Sequence, residues 1–289
     1  MGEEAKPEWS EKNTKFVLDQ AWAVWEWFRK KFAAKPPADA PPSAEPPPGI
    51  LIIGPGGVGK TTLGKVLSGQ LGGWVFGGEA WKYAESYAEE HYALIGEPNV
   101  ELVVPAGQES RRAASWADVR TDITSGRYSG VIVVAAFGYH TLSGNGYKSH
   151  ELYTGSKERF LEAYQTARRK DERKVIEFLR PALEDAPGKL WVFTVVTKQD
   201  LWWDRRQEAD ATYLSGTWAD AIRQVETKRG GKHFRHETAL VSLVPANLED
   251  PDGVVLFETT AGYDTSKQAE SVNALLGKLA ALKDWEAAT

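Results

Sequence analysis

Residues 54–61 read Gly54-Pro55-Gly56-Gly57-Val58-Gly59-Lys60-Thr61, and this stretch decides the fold. Its spacing is that of the P-loop, G-x-x-x-x-G-K-[ST], in which glycines let backbone N–H groups turn inward around phosphate oxygens. An apolar run at residues 50–53 precedes the loop, and an amphipathic helical pattern at residues 61–71 follows it. Since a chance Gly-rich turn would lack both neighbours, the sequence predicts a phosphate-binding loop between a strand and a helix.

The residues of this loop have separate expected roles. Lys60 is expected to reach the β- and γ-phosphates of a nucleotide, and the Thr61 hydroxyl is expected to ligate Mg²⁺. The backbone around them is expected to surround the phosphates at the positive end of the helix dipole. The predicted phosphate-binding residues are Gly54, Gly56, Gly57, Val58, Gly59, Lys60, Thr61 and Thr62.

Beyond the loop, short apolar runs alternate with helical patterns. The apolar runs occupy residues 50–53, 102–104, 131–137, 191–196, 240–244 and 254–257. The helical patterns occupy residues 61–71, 79–94, 157–184, 217–228 and 265–283. Continuous apolar runs are typical of strands buried on both faces, and their alternation with helices predicts an α/β fold with a doubly wound, mainly parallel sheet.

The N-terminal part of the chain is organised differently. Residues 1–35 are predicted to hold an amphipathic helix, residues 36–48 a proline-rich linker, and residues 49–289 the P-loop domain. The apolar residues at helical spacing are Leu18, Trp22, Trp25, Phe28 and Phe32. Basic residues beside these aromatic rings are typical of a helix in a membrane interface, so residues 14–35 are a candidate for a membrane-surface contact. Asp19 and Glu26 dilute the basic face, so we slightly favour docking on the chain's own domain or on a partner protein.

Composition excludes several classes of protein. The 289 residues carry a net charge of −5, which argues against nucleic-acid binding. There is no cysteine, so disulfides and thiolate metal sites are excluded, in keeping with a reducing compartment. The N-terminus lacks a basic signal region, and no apolar run approaches the roughly 18–20 residues of a spanning helix. We therefore expect a cytoplasmic protein, either soluble or attached to a membrane surface.

Two further segments indicate which base the nucleotide carries. Thr197-Lys198-Gln199-Asp200 follows the apolar run at residues 191–196. An aspartate at the end of such a strand can accept hydrogen bonds from N1 and N2 of guanine, whereas adenine would leave it unsatisfied. After residues 254–257 comes Glu258-Thr259-Thr260-Ala261-Gly262, where a backbone N–H can meet the guanine O6.

In this order the motifs resemble those of the Ras-like and Arf-like small GTPases. The guanine motif of that family is Asn/Thr-Lys-x-Asp, and its last motif is similar to Glu-Thr-Ser-Ala-Lys. The resemblance implies that Thr197 belongs to the nucleotide site, that Lys198 packs along the purine face, and that Asp200 reads its edge. The same resemblance implies that Thr260 and Ala261 close the pocket. It also implies GTP or GDP with Mg²⁺ as ligands and a protein effector or regulator as partner.

Both switch regions depart from that family. Residues 102–109 resemble Asp-x-Ala-Gly-Gln-Glu, so that Gly107 would sense the γ-phosphate and Gln108 would orient the attacking water. However, Val104 occupies the position of the magnesium-linked aspartate, and no threonine lies between Thr62 and Thr121 to serve the first switch. We expect a GTP-binding switch with slow hydrolysis. A scaffold that senses GTP without hydrolysing it and, less favoured, a P-loop kinase are the alternatives.

Overall fold

One mainly parallel sheet organises the chain. The computed structural model describes residues 48–70, 88–107, 112, 114 and 116–288. The strands are β1 (Gly49–Ile53), β2 (Glu90–Leu94), β3 (Glu97–Val104), β4 (Tyr128–Ala135), β5 (Leu190–Val196) and β6 (Phe234–Leu240). Their order is β2-β3-β1-β4-β5-β6, and every neighbouring pair is parallel except β2 with β3. The predicted α/β architecture is confirmed.

Helices cover both faces of this sheet. They are α1 (Lys60–Leu67), α2 (Val119–Thr124), α3 (Lys157–Asp185), α4 (Arg206–Tyr213), α5 (Thr217–Arg229) and α6 (Thr265–Ala287). Strand β1 illustrates the arrangement, because Leu51 and Ile53 join the core beneath α2–α5, whereas Ile50 and Ile52 join the core beneath α1 and α6. Burial on both faces explains why the central strands have continuous apolar sequences.

The helix predicted over residues 79–94 is wrong for residues 90–94, which form strand β2. Residues 90–94 pair antiparallel with β3, and residues 79–87 lie outside the described part of the chain. The side chains of β2 alternate in exposure, as expected for a strand covered on one face. Tyr92 packs on α1, where a Cβ added to Gly64 would lie 2.8 Å from its ring. Residues 90–94 are therefore an edge strand, whose Tyr92 side chain packs against α1.

The last two strand predictions also need correction. Residues 240–244 were expected to form a strand, but β6 ends at Leu240 and begins at Phe234. As an edge strand, β6 contains the polar residues Arg235 and Glu237, so it lacks a continuous apolar run. Residues 254–257 were expected in the main sheet. Instead, β8 (Val255–Phe257) pairs with β7 (Leu248–Glu249) in a separate antiparallel ribbon. Val255 and Phe257 are partly exposed, unlike the fully buried residues of the central strands.

The predicted helix in residues 1–35 and the linker up to residue 47 lie outside the described residues, as does Gln108. Among the helices of the described ranges, none combines the length and apolarity needed to cross a membrane.

Candidate nucleotide-binding site

The predicted site residues converge on one edge of the sheet. The P-loop follows β1, Gly107 lies shortly after β3, and residues 197–200 follow β5. Because β1, β3, β4, β5 and β6 are parallel, their carboxyl ends share this edge. Ligands of open α/β sheets bind in the crevice outside these ends.

The P-loop requires glycine for reasons visible in its packing. A Cβ at Gly54 would lie 2.3 Å from the carbonyl oxygen of Val134 on β4. Gly57 and Gly59 have φ angles of 75° and 93°, in the left-handed region that L side chains rarely adopt. Gly59 then begins α1 as its N-cap residue. The loop therefore has the strand–loop–helix setting that the motif requires.

Lys60 is placed to receive an anion. Its side chain is 8% exposed, and Nζ donates a hydrogen bond of 2.9 Å to the carbonyl oxygen of Pro55. Burial and the charge of Arg112 lower the pKa of Lys60 to about 7, and the charge of Glu90 acts in the opposite direction. A phosphate group would supply the negative charge that this buried ammonium group needs.

Gly107 lies directly on the P-loop. A Cβ added to it would be 2.1 Å from Lys60 Nζ and 2.4 Å from the carbonyl oxygen of Gly54. Its own carbonyl oxygen accepts a hydrogen bond of 2.8 Å from Arg112 Nε. The structure thus places Gly107 beside Lys60 and adds Arg112 to the neighbourhood. The contact of Gly107 with a γ-phosphate stays a prediction.

On the base side, Thr197 is tied to the P-loop. Its hydroxyl lies 2.6 Å from the carbonyl oxygen of Val58 and 3.1 Å from that of Ala135. Lys198 has a left-handed φ of 58°, and its Nζ donates a hydrogen bond of 2.8 Å to the hydroxyl of Thr141. Burial lowers the pKa of Lys198 to about 7, against the charges of Asp200 and Glu172.

Asp200 is buried at the same edge, with an exposure of 1%. Its carboxylate accepts a hydrogen bond of 2.5 Å from the hydroxyl of Ser242 and one of 3.1 Å from the backbone N–H of Ala246. Burial raises the pKa of Asp200 despite these donors. Each carboxylate oxygen has two lone pairs, so acceptor sites remain for a base.

Sequence reasoning missed Ser242, which enters the site just beyond the end of β6. A hydroxyl two residues after a strand could have indicated this position. The sequence instead predicts the strand at residues 240–244, which places Ser242 inside it and not after its end. The predicted segment at residues 258–262 reaches Asp200 in another way, because Thr260 N donates a hydrogen bond of 2.7 Å to the Asp200 carbonyl oxygen. Ala261 is exposed. Closure of the pocket by Thr260 and Ala261 stays a prediction.

The segment that resembles the second switch of the small GTPases has valine at position 104, where that family has an aspartate. Val104 is 1% exposed and belongs to the core beneath α1. Glu90 is its cross-strand partner on β2, and the Glu90 carboxylate accepts a hydrogen bond of 2.7 Å from the Tyr92 hydroxyl. No group of three or more acidic or histidine side chains is placed to hold a metal ion within the described ranges. The charge of Glu90 acts on the P-loop by raising the pKa of Lys60 against the effect of burial. Ligation of Mg²⁺ by the Thr61 hydroxyl stays a prediction.

Two solved structures can be compared with this chain. One is an ADP-ribosylation-factor-like GTP-binding protein, a small COPII-coat GTPase from Encephalitozoon cuniculi in complex with GDP. It is 12% identical with a TM-score of 0.36, over 94% of this chain and 93% of that one. The other is the signal recognition particle receptor SRb of Chaetomium thermophilum with GDP. It is 12% identical with a TM-score of 0.37, over 80% of this chain and 96% of that one.

No family model matches the sequence, and no curated protein matches it.

Proposed function

We propose that this chain binds GTP or GDP at the carboxyl edge of its sheet and works as a GTP-dependent switch. One observation carries the proposal: the Thr197 hydroxyl lies 2.6 Å from the carbonyl oxygen of Val58. This contact joins the P-loop to the segment that holds Lys198 and Asp200. A phosphate-binding loop and a base-reading carboxylate are thereby parts of one site.

The guanine preference is assigned to Asp200. Its carboxylate is buried, so a base that offers it no hydrogen-bond donor would leave acceptors unsatisfied at a substantial cost. Guanine offers N1–H and the N2 amino group, whereas adenine presents no such pair. Lys198, held by Thr141, would cover the purine face.

The phosphates would lie over the P-loop, with the Lys60 ammonium as their cationic contact. Mg²⁺ would be held by the Thr61 hydroxyl, phosphate oxygens and water, with Glu90 as the nearest acidic residue on β2. Hydrolysis would be slow because Val104 replaces a carboxylate and Gln108 alone would orient the water. A partner protein would distinguish the GTP and GDP states through residues 79–94 and 107–112.

A non-hydrolysing GTP sensor is the second candidate, and Val104 favours it. Its side chain is part of the apolar core and cannot approach a metal-bound water as an acceptor. A P-loop kinase is less well supported. The arginines at residues 168–180 that could serve a lid lie in α3, where Arg168 pairs with Asp171 at 2.9 Å and Arg180 with Glu184 at 3.1 Å.

Residues 1–48 are proposed to act as a tethered contact element outside the P-loop domain. The aromatic and basic residues at 14–35 would contact a membrane surface or a partner protein, and the proline-rich stretch would set the reach. We propose a cytoplasmic protein that binds no nucleic acid.

Titration with GTP, GDP and ATP, each with and without Mg²⁺, tests the proposal. The unmodified protein should bind GTP and GDP and discriminate against ATP, and Lys60→Ala should bind none of them. Phosphate release in the same samples separates the switch from the non-hydrolysing sensor. Equal affinity for ATP and GTP would overturn the guanine assignment.

A further inference from the structure

Glu172, in the middle of α3, is a buried carboxylate that the proposed nucleotide contacts do not use. It is 2% exposed. Its Oε1 accepts hydrogen bonds from Ala136 N at 2.8 Å, Gly138 N at 3.1 Å and His140 Nε2 at 2.7 Å. Its Oε2 accepts one of 2.5 Å from the Tyr213 hydroxyl. Three of these four donors belong to residues 136–140, which directly follow β4.

The backbone of this segment is held in an unusual conformation. Phe137 has a φ of 51° and Gly138 a φ of 84°, so two consecutive residues are left-handed. A bulky aromatic residue rarely adopts this conformation, and such outliers persist only where the surroundings impose them. The turn directs the Ala136 and Gly138 N–H groups at one anion, and Glu172 supplies that anion from inside the protein.

The same segment ends on the nucleotide site. Thr141 N donates a hydrogen bond of 3.0 Å to the Gly57 carbonyl oxygen, and a Cβ on Gly57 would lie 2.5 Å from the Thr141 carbonyl oxygen. The Thr141 hydroxyl accepts the hydrogen bond of 2.8 Å from Lys198 Nζ. Thr141 therefore contacts one residue from each of the two motifs that define the site.

We infer that Glu172 is a positioning residue of the nucleotide site, which fixes residues 136–141 so that Thr141 holds Gly57 and Lys198 in place. The inference rests on the proposed function for the identity of the ligand. It assigns roles to Glu172 and Thr141, which belong to none of the motifs recognised in the sequence.

Electrostatics support this role. Burial alone would raise the pKa of Glu172, but hydrogen bonds from His140 and Tyr213 outweigh it and lower the pKa, so the carboxylate is ionised at neutral pH. Burial lowers the pKa of His140, which is therefore neutral and donates from Nε2. The negative charge of Glu172 also raises the pKa of Lys198 against the effect of burial. Glu172 thus acts on Lys198 by charge as well as through Thr141.

A purely structural role for Glu172 makes different predictions, because it would affect stability alone. Glu172→Gln keeps the shape and removes the charge. Its matched control is Asp171→Asn on the same helix, since Asp171 is also buried but pairs with Arg168 and Lys174. Hydrogen exchange of the Thr141 amide in the nucleotide-free protein and the affinity for fluorescent GDP are measured in both variants, together with thermal unfolding.

We expect Glu172→Gln to speed exchange at the Thr141 amide and to weaken GDP binding, each by about tenfold, because hydrogen bonds to a charged carboxylate become weaker hydrogen bonds to a neutral amide. Asp171→Asn should leave both within about twofold of the unmodified protein, because its ion-pair partners Arg168 and Lys174 are partly exposed residues of the same helix. Thr141→Val should weaken GDP binding, whereas Thr141→Ser, which keeps the hydroxyl, should restore it. Where Glu172→Gln does not fold, Tyr213→Phe removes one donor to the same carboxylate and takes its place.

Normal exchange at Thr141 and normal GDP affinity in a folded Glu172→Gln protein would overturn the inference. Equal losses in Thr141→Val and Thr141→Ser would overturn the role of the hydroxyl. If the unmodified protein binds no guanine nucleotide, the proposed function fails. Exchange at Thr141 then still decides whether Glu172 positions this segment.

Discussion

The Thr197 hydroxyl lies 2.6 Å from the carbonyl oxygen of Val58, so the start of the proposed base-reading segment is hydrogen-bonded to the middle of the P-loop. The two residues are 139 positions apart in sequence. Strand β4 lies between the strands that precede these two residues, and the same hydroxyl is 3.1 Å from the carbonyl oxygen of Ala135 at the end of β4. The P-loop and residues 197–200 would therefore hold the phosphates and the base as one hydrogen-bonded unit. A substitution in either segment should alter nucleotide contacts in the other.

We predict that nucleotide affinity falls as pH rises above about 7, the pKa of Lys60 in the free protein. Phosphate would raise the pKa of Lys60 in the complex, so binding takes up a proton between the two pKa values. Uptake of a proton on binding means that affinity decreases with pH in that window. GDP affinity measured from pH 6 to about pH 9 tests this expectation.

Lys60→Arg is the control, because arginine remains charged throughout that range. The variant should bind GDP less tightly but with a weaker pH dependence, and the remaining slope belongs to Lys198, whose pKa is also about 7. A flat profile for the unmodified protein would contradict the assignment of Lys60.

Gly107→Ala is predicted to abolish nucleotide binding. The new methyl group would lie 2.1 Å from Lys60 Nζ and 2.4 Å from the Gly54 carbonyl oxygen, so both must move. Gly277→Ala is the matched control at an exposed position of α6, where an added Cβ would have nothing within 4 Å. That control should gain about 0.5–1 kcal/mol of stability and keep full affinity. Calorimetry measures the stability of both variants, and GDP titration measures their affinity. Normal GDP binding by Gly107→Ala would refute the close approach of Gly107 to Lys60 and Gly54.

The difference between what the sequence predicts and what it misses has a physical basis. The P-loop and residues 197–200 follow buried strands with continuous apolar sequences, so their placement at one edge was predictable. Ser242 follows β6, an edge strand. The polar residues of β6 interrupt the apolar run that would have allowed the strand to be predicted. Glu172 could not be recognised because its partners lie 32 to 41 positions away and become neighbours only in the folded chain.

Asp200→Asn is predicted to reverse the base preference. Replacing one carboxylate oxygen by an amide NH₂ removes an acceptor for guanine and should weaken GTP binding by at least ~1–3 kcal/mol. Xanthine carries an oxygen where guanine has its amino group, so xanthosine triphosphate should bind the variant better than GTP does. Exposed Asp204→Asn is the control and should keep the guanine preference. Unchanged GTP affinity in folded Asp200→Asn would exclude Asp200 as the base-reading residue.

Removal of residues 1–48 is predicted to preserve GTP binding. Gly49 N is hydrogen-bonded to the Arg127 carbonyl oxygen at 2.9 Å, so β1 has its own attachment at the start of the domain. Flotation with anionic liposomes compares the full chain with the truncated one. Flotation of the full chain alone would assign residues 14–35 to the membrane surface, and loss of GTP binding on truncation would show that they belong to the nucleotide domain.

The final prediction concerns the rate of hydrolysis. Val104 is buried in the core where the resembled family has an aspartate, so the metal would depend on Thr61, phosphate oxygens and water, with Glu90 one strand away. A less constrained metal stabilises the transition-state charge less well, even if Gln108 orients a water molecule. We expect hydrolysis no faster than about 10⁻³ s⁻¹ without a partner, on the order of the intrinsic rate of Ras-type proteins.

Single-turnover phosphate release from the isolated protein measures this rate. Glu90→Gln should reduce the dependence of the hydrolysis rate on Mg²⁺, because it removes the carboxylate of the residue paired with Val104 across the strands. Glu101→Gln on the same hairpin is the control, since Glu101 is exposed and bonded to His91 at 2.8 Å. Equal effects of the two substitutions would exclude Glu90 from the metal site. Turnover near about 1 s⁻¹, the range reached by Ras only with its activating partner, would require a metal ligand or catalytic group beyond Thr61, Glu90 and Gln108.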